Sequence, residues 1–178
     1  MNPGGHMELI RPEVDRDAAA VRRVHVTAFP TPAEADLVER LRAGGKAVVE
    51  LVALDGDSIV GHILFSPVTL EPPAGTLGLG LAPVAVMPDH EKHGVGRRLI
   101  QNGLAECHRW GAGFVVVIGD PPYYTRFGFE PAGKYGLRSD FDAGDAFMVF
   151  KLESGALPPS GTLVKYGPEF SALPRPRD

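Results

Sequence analysis

The chain has 178 residues, 44% of them hydrophobic, which suffices for one domain with a real core and falls short of two. Eighteen basic against twenty-two acidic residues leave a formal charge of −4, with no basic run longer than two residues, which argues against non-specific nucleic-acid binding. A single cysteine excludes an internal disulfide, nothing reads as a signal peptide or membrane span, and a reducing cytoplasm is the expected setting.

The opening MNPGGHM is glycine-bearing and unpatterned, so residues 1–6 read as a disordered end or as a remnant ahead of a start at Met7. Met7 to Arg11 reads as a strand that Pro12 ends, and Asp15 to Phe29 as a helix capped by Asp15, with Val21, Val24 and Ala28 inward. Pro30 and Pro32 break the chain before a second helix, Ala33 to Ala43, which carries Leu37, Val38 and Leu41 inward and stops at Gly44-Gly45. Val48 to Leu54 and Ile59 to Leu70 are β-prone runs around Asp55-Gly56-Asp57-Ser58, a hairpin signal with Asp-Gly at its centre.

After a Pro/Gly-rich turn at Glu71 to Gly75 comes the strand-forming run Leu81, Val84, Val86 and Met87, in which Pro83 and Pro88 predict a weakened or bulged ladder. A helix follows over Val95 to Trp110, since Val95, Leu99, Gly103 and Cys107, with Ile100 and Leu104 beside them, recur at helical spacing. Phe114 to Ile118 reads as a buried central strand, Tyr123 to Phe127 as a short helix or turn, Lys134 to Gly144 as a loop or irregular strand, and Phe147 to Leu152 as the closing strand. From Glu153 onward five prolines and three glycines in twenty-six residues predict little regular structure beyond a short extended piece at Thr162 to Tyr166. The domain therefore spans 7–152, and 153–178 forms a Pro/Gly-rich extension packed on or beside it.

Gly94-Val95-Gly96 falls at the start of the long helix, where unpaired N–H groups and the macrodipole favour a phosphate. Glycines there let a ligand reach the backbone, and Arg97 and Arg98 add full charges. Gly-x-Gly alone is common and also fits a helix that simply begins with two glycines. A dinucleotide fingerprint would need glycine at Leu99, and a P-loop would need Gly-Lys followed by Ser or Thr, so neither is present.

The stretch Glu91-Lys92-His93-Gly94-Val95-Gly96 resembles the acyl-CoA signature of the GNAT superfamily of N-acetyltransferases, Gln/Arg-x-x-Gly-x-Gly/Ala, departing from it at Glu91. The flanks LGLAPVAVMPDH and RRLIQNGLAE, and GDPPYYTRFGFEPA at 119 to 132, resemble the YhbS-like branch, and the likeness runs over roughly 8 to 152. It implies an α/β fold in one domain, with a central, mixed, mostly antiparallel twisted sheet splayed in its middle and flanked by helices. It also implies an acetyl-CoA site made of Val84, Ala85 and Val86, of Lys92, His93, Gly94, Val95, Gly96, Arg97 and Arg98, and of Tyr124 and Arg126.

In that family the pantetheine arm pairs with free backbone of the fourth strand, here Val84 to Val86, and a backbone N–H, here that of Val86, faces the thioester carbonyl. The tyrosine four residues before Gly128-Phe129, Tyr124, corresponds to the proton donor for the leaving thiolate, with Tyr123 as its alternate. A thiol ionises near about 8.5 and a phenol near about 10, so a phenol assists a thiolate while staying protonated. Glu34, Asp36, Glu50 and His62 are the candidate general bases; Cys107 reads as a core residue, and His90 and His93 lack partners at metal spacing, so no metal is assigned. The implied reaction is acetyl transfer to a primary amine of unknown identity by a monomer or homodimer, without nucleic acid or membrane. Transfer of a longer acyl group, or a CoA-binding sensor without turnover, are the alternatives.

Overall fold

The computed structural model describes residues 9–173; Met7 and Glu8 of the expected first strand, the segment 1–6 and the end of the extension lie outside the described residues. The first strand, β1 (Leu9–Pro12), leads into a 3₁₀ turn at Asp15–Asp17 and only then into α1 (Ala18–Ala28). Asp15 therefore does not cap the helix. The Asp17 carboxylate instead accepts the Val14 N–H at 3.0 Å and the Arg11 guanidinium at 2.7 Å, which ties the turn to β1. Helix α2 (Ala33–Ala43) matches its expected bounds and buries Leu37, Val38 and Leu41.

β2 (Val49–Asp55) and β3 (Ser58–Pro67) form the expected hairpin, but the two linking residues are Gly56 and Asp57, with Gly56 at φ +59°, so glycine takes the first central position. The run expected to continue to Leu70 breaks after Pro67, and β4 (Thr69–Glu71) leaves for a second sheet. β5 (Gly78–Val86), α3 (Val95–Trp110) and β6 (Phe114–Ile118) follow. The chain is completed by α4 (Pro121–Tyr124), β7 (Glu130–Pro131), β8 (Arg138–Ser139), β9 (Phe147–Lys151) and β10 (Leu163–Lys165).

Seven strands form one sheet in the order β1-β2-β3-β5-β6-β9-β7, and β4-β10-β8 form a small second sheet. In the main sheet every neighbouring pair is antiparallel except β5 with β6, the single parallel pair, as a strand-helix-strand crossover through α3 requires. Helices α1 and α2 cover one face, with Val21, Val24, Leu37 and Leu41 packed on Val52, Leu64, Ala85 and Val116. Helix α3 covers the other, with Val95, Leu99, Ile100 and Cys107 on Leu51, Ile63, Phe65 and Val115. Alternate strand residues thus feed two cores, as the period-2 pleat dictates. The C-terminal segment belongs to the first core, for Val164, Tyr166 and Phe170 are buried in it. Among the described residues no helix is long and apolar enough to cross a membrane.

Candidate active site

β5 and β6 pair only where Gly78, Leu79 and Gly80 meet Phe114, Val115 and Val116. Both strands run on without each other, so the sheet opens between Leu81–Val86 and the end of β6. On its other side β5 stays paired to β3, with one irregularity: Leu64 alone faces Ala82 and Pro83, between the pairs Ile63↔Val84 and Phe65↔Leu81. This is the interruption that Pro83 predicts, since proline gives the ladder no N–H. The Met87 N–H donates to Val60 O at 2.7 Å, and strand alternation then turns the N–H groups of Val84 and Val86 away from β3 toward the opening.

A cleft of about 400 Å³ occupies this opening on the α3 face. Val84, Ala85 and Val86 form one wall, Glu91, Lys92, Gly94, Val95, Gly96 and Arg97 the loop and helix start, and Tyr123 and Arg126 the far side, with His90 at the edge. Gly94 sits at φ +82° just before α3, and Lys92 at φ +64° is a non-glycine residue in the same left-handed region, a strained conformation that functional loops often hold. The first intrahelical bond is Arg98 N–H to Gly94 O at 3.0 Å, so the N–H groups of Val95, Gly96 and Arg97 have no acceptor within the helix. His90 Nε2 donates to Asp55 at 3.0 Å and fastens the loop to the hairpin. A Cβ built on Gly96 would lie 3.2 Å from the Tyr123 hydroxyl and 3.6 Å from Val86 Cγ2, so any side chain there would narrow the cleft.

Three residues expected at this site do not line it. Arg97 and Arg98 are adjacent on a helix, about 100° apart, so Arg97 faces the cleft and Arg98 does not. His93 stays exposed in the loop. Tyr124 lies behind Tyr123, buried at 8% exposure, its ring against Gly119 and edge-on to Phe129 and Tyr123. Burial, helped by Tyr123, pushes its phenol far above the usual range, so it stays protonated.

A sequence profile described as an acetyltransferase (GNAT) domain matches residues 10–132. The chain is also 36% identical over 165 residues to the uncharacterized N-acetyltransferase YhbS of Escherichia coli K12, covering 92% of this chain and 98% of the relative. The chain belongs to the GNAT acetyltransferase family. A crystal structure of E. coli YhbS in complex with CoA superposes on this GNAT fold with a TM-score of 0.90 over 98% of each chain, at 32% identity. A Brucella melitensis GNAT acetyltransferase in complex with acetyl-CoA does so with a TM-score of 0.77, at 32% identity, over 93% of this chain and 99% of that one.

Of the candidate bases in this GNAT domain, Asp36 is paired with Arg22 at 3.0 Å on the surface, and Glu34 holds one buried carboxylate oxygen without a partner. Glu50 and His62 belong to one buried chain. Arg42 bridges Glu13 at 3.0 Å and Glu50 at 2.9 Å, His62 Nε2 donates to Glu50 at 2.9 Å, and His62 Nδ1 lies 2.8 Å from His25 Nε2. The carboxylate fixes the tautomers: His62 is an acceptor at Nδ1, so His25 donates from Nε2 and its buried Nδ1 is left as an acceptor with no partner. Burial, with His62 and Arg42 nearby, pushes His25 down to about 3. Burial also lowers His62 despite Glu50, whereas Glu50 is held low because hydrogen bonds from His62 and Arg42 outweigh its own burial. Sequence reading missed His25, although its spacing from Val21 and Val24 placed it on the inward face of α1. Cys107 is buried and its thiol pushed up by burial, as suits a core residue.

Proposed function

We propose that this GNAT protein transfers the acetyl group of acetyl-CoA directly to a primary amine within a ternary complex. One observation carries the reading: strand-edge amides at Val84 and Val86 and helix-start amides at Val95, Gly96 and Arg97 line the same cleft. An elongated ligand with a diphosphate at one end and amide groups along its length matches that spacing of donors. Lys92, Arg97 and Arg126 would neutralise the phosphates, and the CoA and acetyl-CoA complexes of the two similar structures support the choice of ligand.

Acetyl-CoA supplies an activated thioester, so this chain has little bond chemistry to provide. The Val86 N–H would hold the carbonyl oxygen as negative charge gathers there when the amine nitrogen bonds to the carbon. As the C–S bond breaks, Tyr124, kept protonated by burial, would donate a hydrogen bond to the sulfur as the thiolate departs. The ammonium proton must leave before attack; the buried Glu50–His62–His25 chain is too low in proton affinity at His25 to hold it, so water is the assigned carrier. Calorimetry with acetyl-CoA, followed by thiol-release assays with an amine panel, tests this: micromolar binding and amine-dependent thiol release are expected. No binding heat with either CoA or acetyl-CoA would overturn it.

A further inference from the structure

A second cavity, of about 160 Å³, lies on the opposite face of the same opening. It is lined by Leu81 and Ala82 of β5, Ile118 of β6, and Phe141, Tyr166 and Phe170 of the C-terminal half, with Leu173 at its edge. None of these residues carries a charge. Tyr166 packs edge-on to Phe141 and tilted against Phe170, at 5.9 and 4.9 Å between centroids, and its ring presses on the β5 backbone, since a Cβ at Gly80 would fall 2.5 Å from Tyr166 Cε1. Its hydroxyl is buried and has no hydrogen-bond partner. A buried hydroxyl left unpaired is costly unless a ligand or water takes it.

We propose that this cavity is the acceptor subsite. It takes a small primary amine borne on an uncharged aliphatic or aromatic group of about benzene size, and the Tyr166 hydroxyl meets the nitrogen. The proposal rests on the acetyl-transfer reading above. Size sets the first part: an apolar cavity of roughly 150 Å³ holds one benzene ring. Lining chemistry sets the second, because a second ammonium or a carboxylate would be desolvated there without a partner. Position sets the third. Tyr166 lies at Gly80, the last β5 residue paired with β6, and Tyr124 lies at Gly119 on the other face, so the two phenols flank the point where the strands part. Burial raises the Tyr166 phenol, with Tyr124 and Asp140 adding to the rise, so its hydroxyl stays protonated and able to donate. Phe141, Tyr166, Phe170 and Leu173 all follow residue 132, where the match to the acetyltransferase domain profile ends, so the selectivity lies in the C-terminal part beyond that profile.

The test uses the full chain and four free amines: benzylamine and isoamylamine against ethanolamine and 1,4-diaminobutane. The two apolar amines should show kcat/KM at least about tenfold above the polar pair, and benzylamine should shift the methyl resonances of Ile118 and Leu173 without any CoA present. Ala82→Leu, which fills the cavity, should lower kcat/KM for benzylamine at least about tenfold and leave the acetyl-CoA Kd unchanged. Tyr166→Phe should raise the benzylamine KM about fivefold to tenfold, the worth of one hydrogen bond. Should Ala82→Leu not fold, Phe141→Ala serves, and must admit 2-naphthylmethylamine that the native chain rejects. Equal turnover of ethanolamine and benzylamine, benzylamine kinetics untouched by Ala82→Leu, or acetylation confined to peptide N-termini would each overturn the subsite assignment. Absence of acetyl-CoA binding with benzylamine still shifting the methyl signals would instead overturn the acetyl-transfer reading alone.

Discussion

Acidification should destabilise this fold well before its carboxylates protonate, because His25 is buried in neutral form. Unfolded, the imidazole titrates at 6.5; folded, burial beside His62 and Arg42 pushes it down to about 3. Between those values the unfolded chain binds a proton that the folded chain does not, so stability is full above 6.5 and falls as pH drops toward 3. At 1.36 kcal/mol per unit, a drop to about pH 4.5 removes about 2.7 kcal/mol through His25 alone. His62, lowered for the same reason, adds to the loss. That is a large share of a typical total of about 5–15 kcal/mol. Urea unfolding followed by circular dichroism at pH 7, 6, 5 and 4.5 measures it. His25→Gln keeps a donor for His62 Nδ1 and removes the titration, so its stability should depend on pH by about one proton less across the same range. Identical pH slopes for the native chain and His25→Gln would refute the buried-neutral assignment.

Gly96→Val should weaken CoA binding at least about tenfold by calorimetry while the melting temperature holds, because its side chain enters the cleft beside Tyr123 and Val86 rather than the core. Glu91→Gln should tighten CoA by a few-fold or leave it unchanged, since it removes a carboxylate from the rim of the cleft proposed to take the phosphates; a large loss of affinity would show that Glu91 makes a favourable contact. Tyr124→Phe should lower kcat at least about tenfold at constant CoA affinity, with a milder effect for Tyr123→Phe, and unchanged kcat would remove Tyr124 from the thiolate's departure. The basic limb of the rate profile should be the same in both proteins, because burial keeps the Tyr124 phenol protonated across the assay range.

What the sequence made legible was whatever carries a period. Helix α3 and strand β6 fall on their expected residues because Val95 to Cys107 repeats at helical spacing and Phe114–Ile118 is one unbroken apolar run. Of the small sheet, β10 falls inside the extended piece expected at 162–166, but β8 and the sheet's pairing escaped, since strands of two or three residues are too short to show alternation and the pairing joins Leu163 to Glu71 across about half of the chain. For the same reason the C-terminal segment reads as Pro/Gly-rich covering, although Tyr166 and Phe170 lie in the core. Spacing placed His25 inward but says nothing of His62, thirty-seven residues away, which turns an inward histidine into a buried hydrogen-bonded chain. Two adjacent arginines, Arg97 and Arg98, are indistinguishable in sequence until the helix phase is set by Val95 and Leu99 facing the core.

The opening between β5 and β6 also has a setting that pattern alone does not show. Parallel pairing ends at Gly80↔Val116, although β6 continues to Ile118. A tyrosine packs on each face where a side chain is missing, Tyr166 on Gly80 at that point and Tyr124 on Gly119 just past the end of β6. Had either glycine been alanine, its Cβ would lie within 2.5 Å of a ring carbon, and that ring would have to move. The glycines therefore let two rings approach the backbone, one on each face, beside the place where pairing ends and the amides of Val84 and Val86 are left free of β6. A fully paired β5 would be more regular and would have no donors left to offer a ligand. The irregularity at Ala82–Pro83 completes the division: residues before it line the apolar cavity, and Val84 to Val86 after it line the cleft on the other face. One strand thereby serves both halves of the site, and the distance between them is set by the few residues that separate Leu81 from Val84.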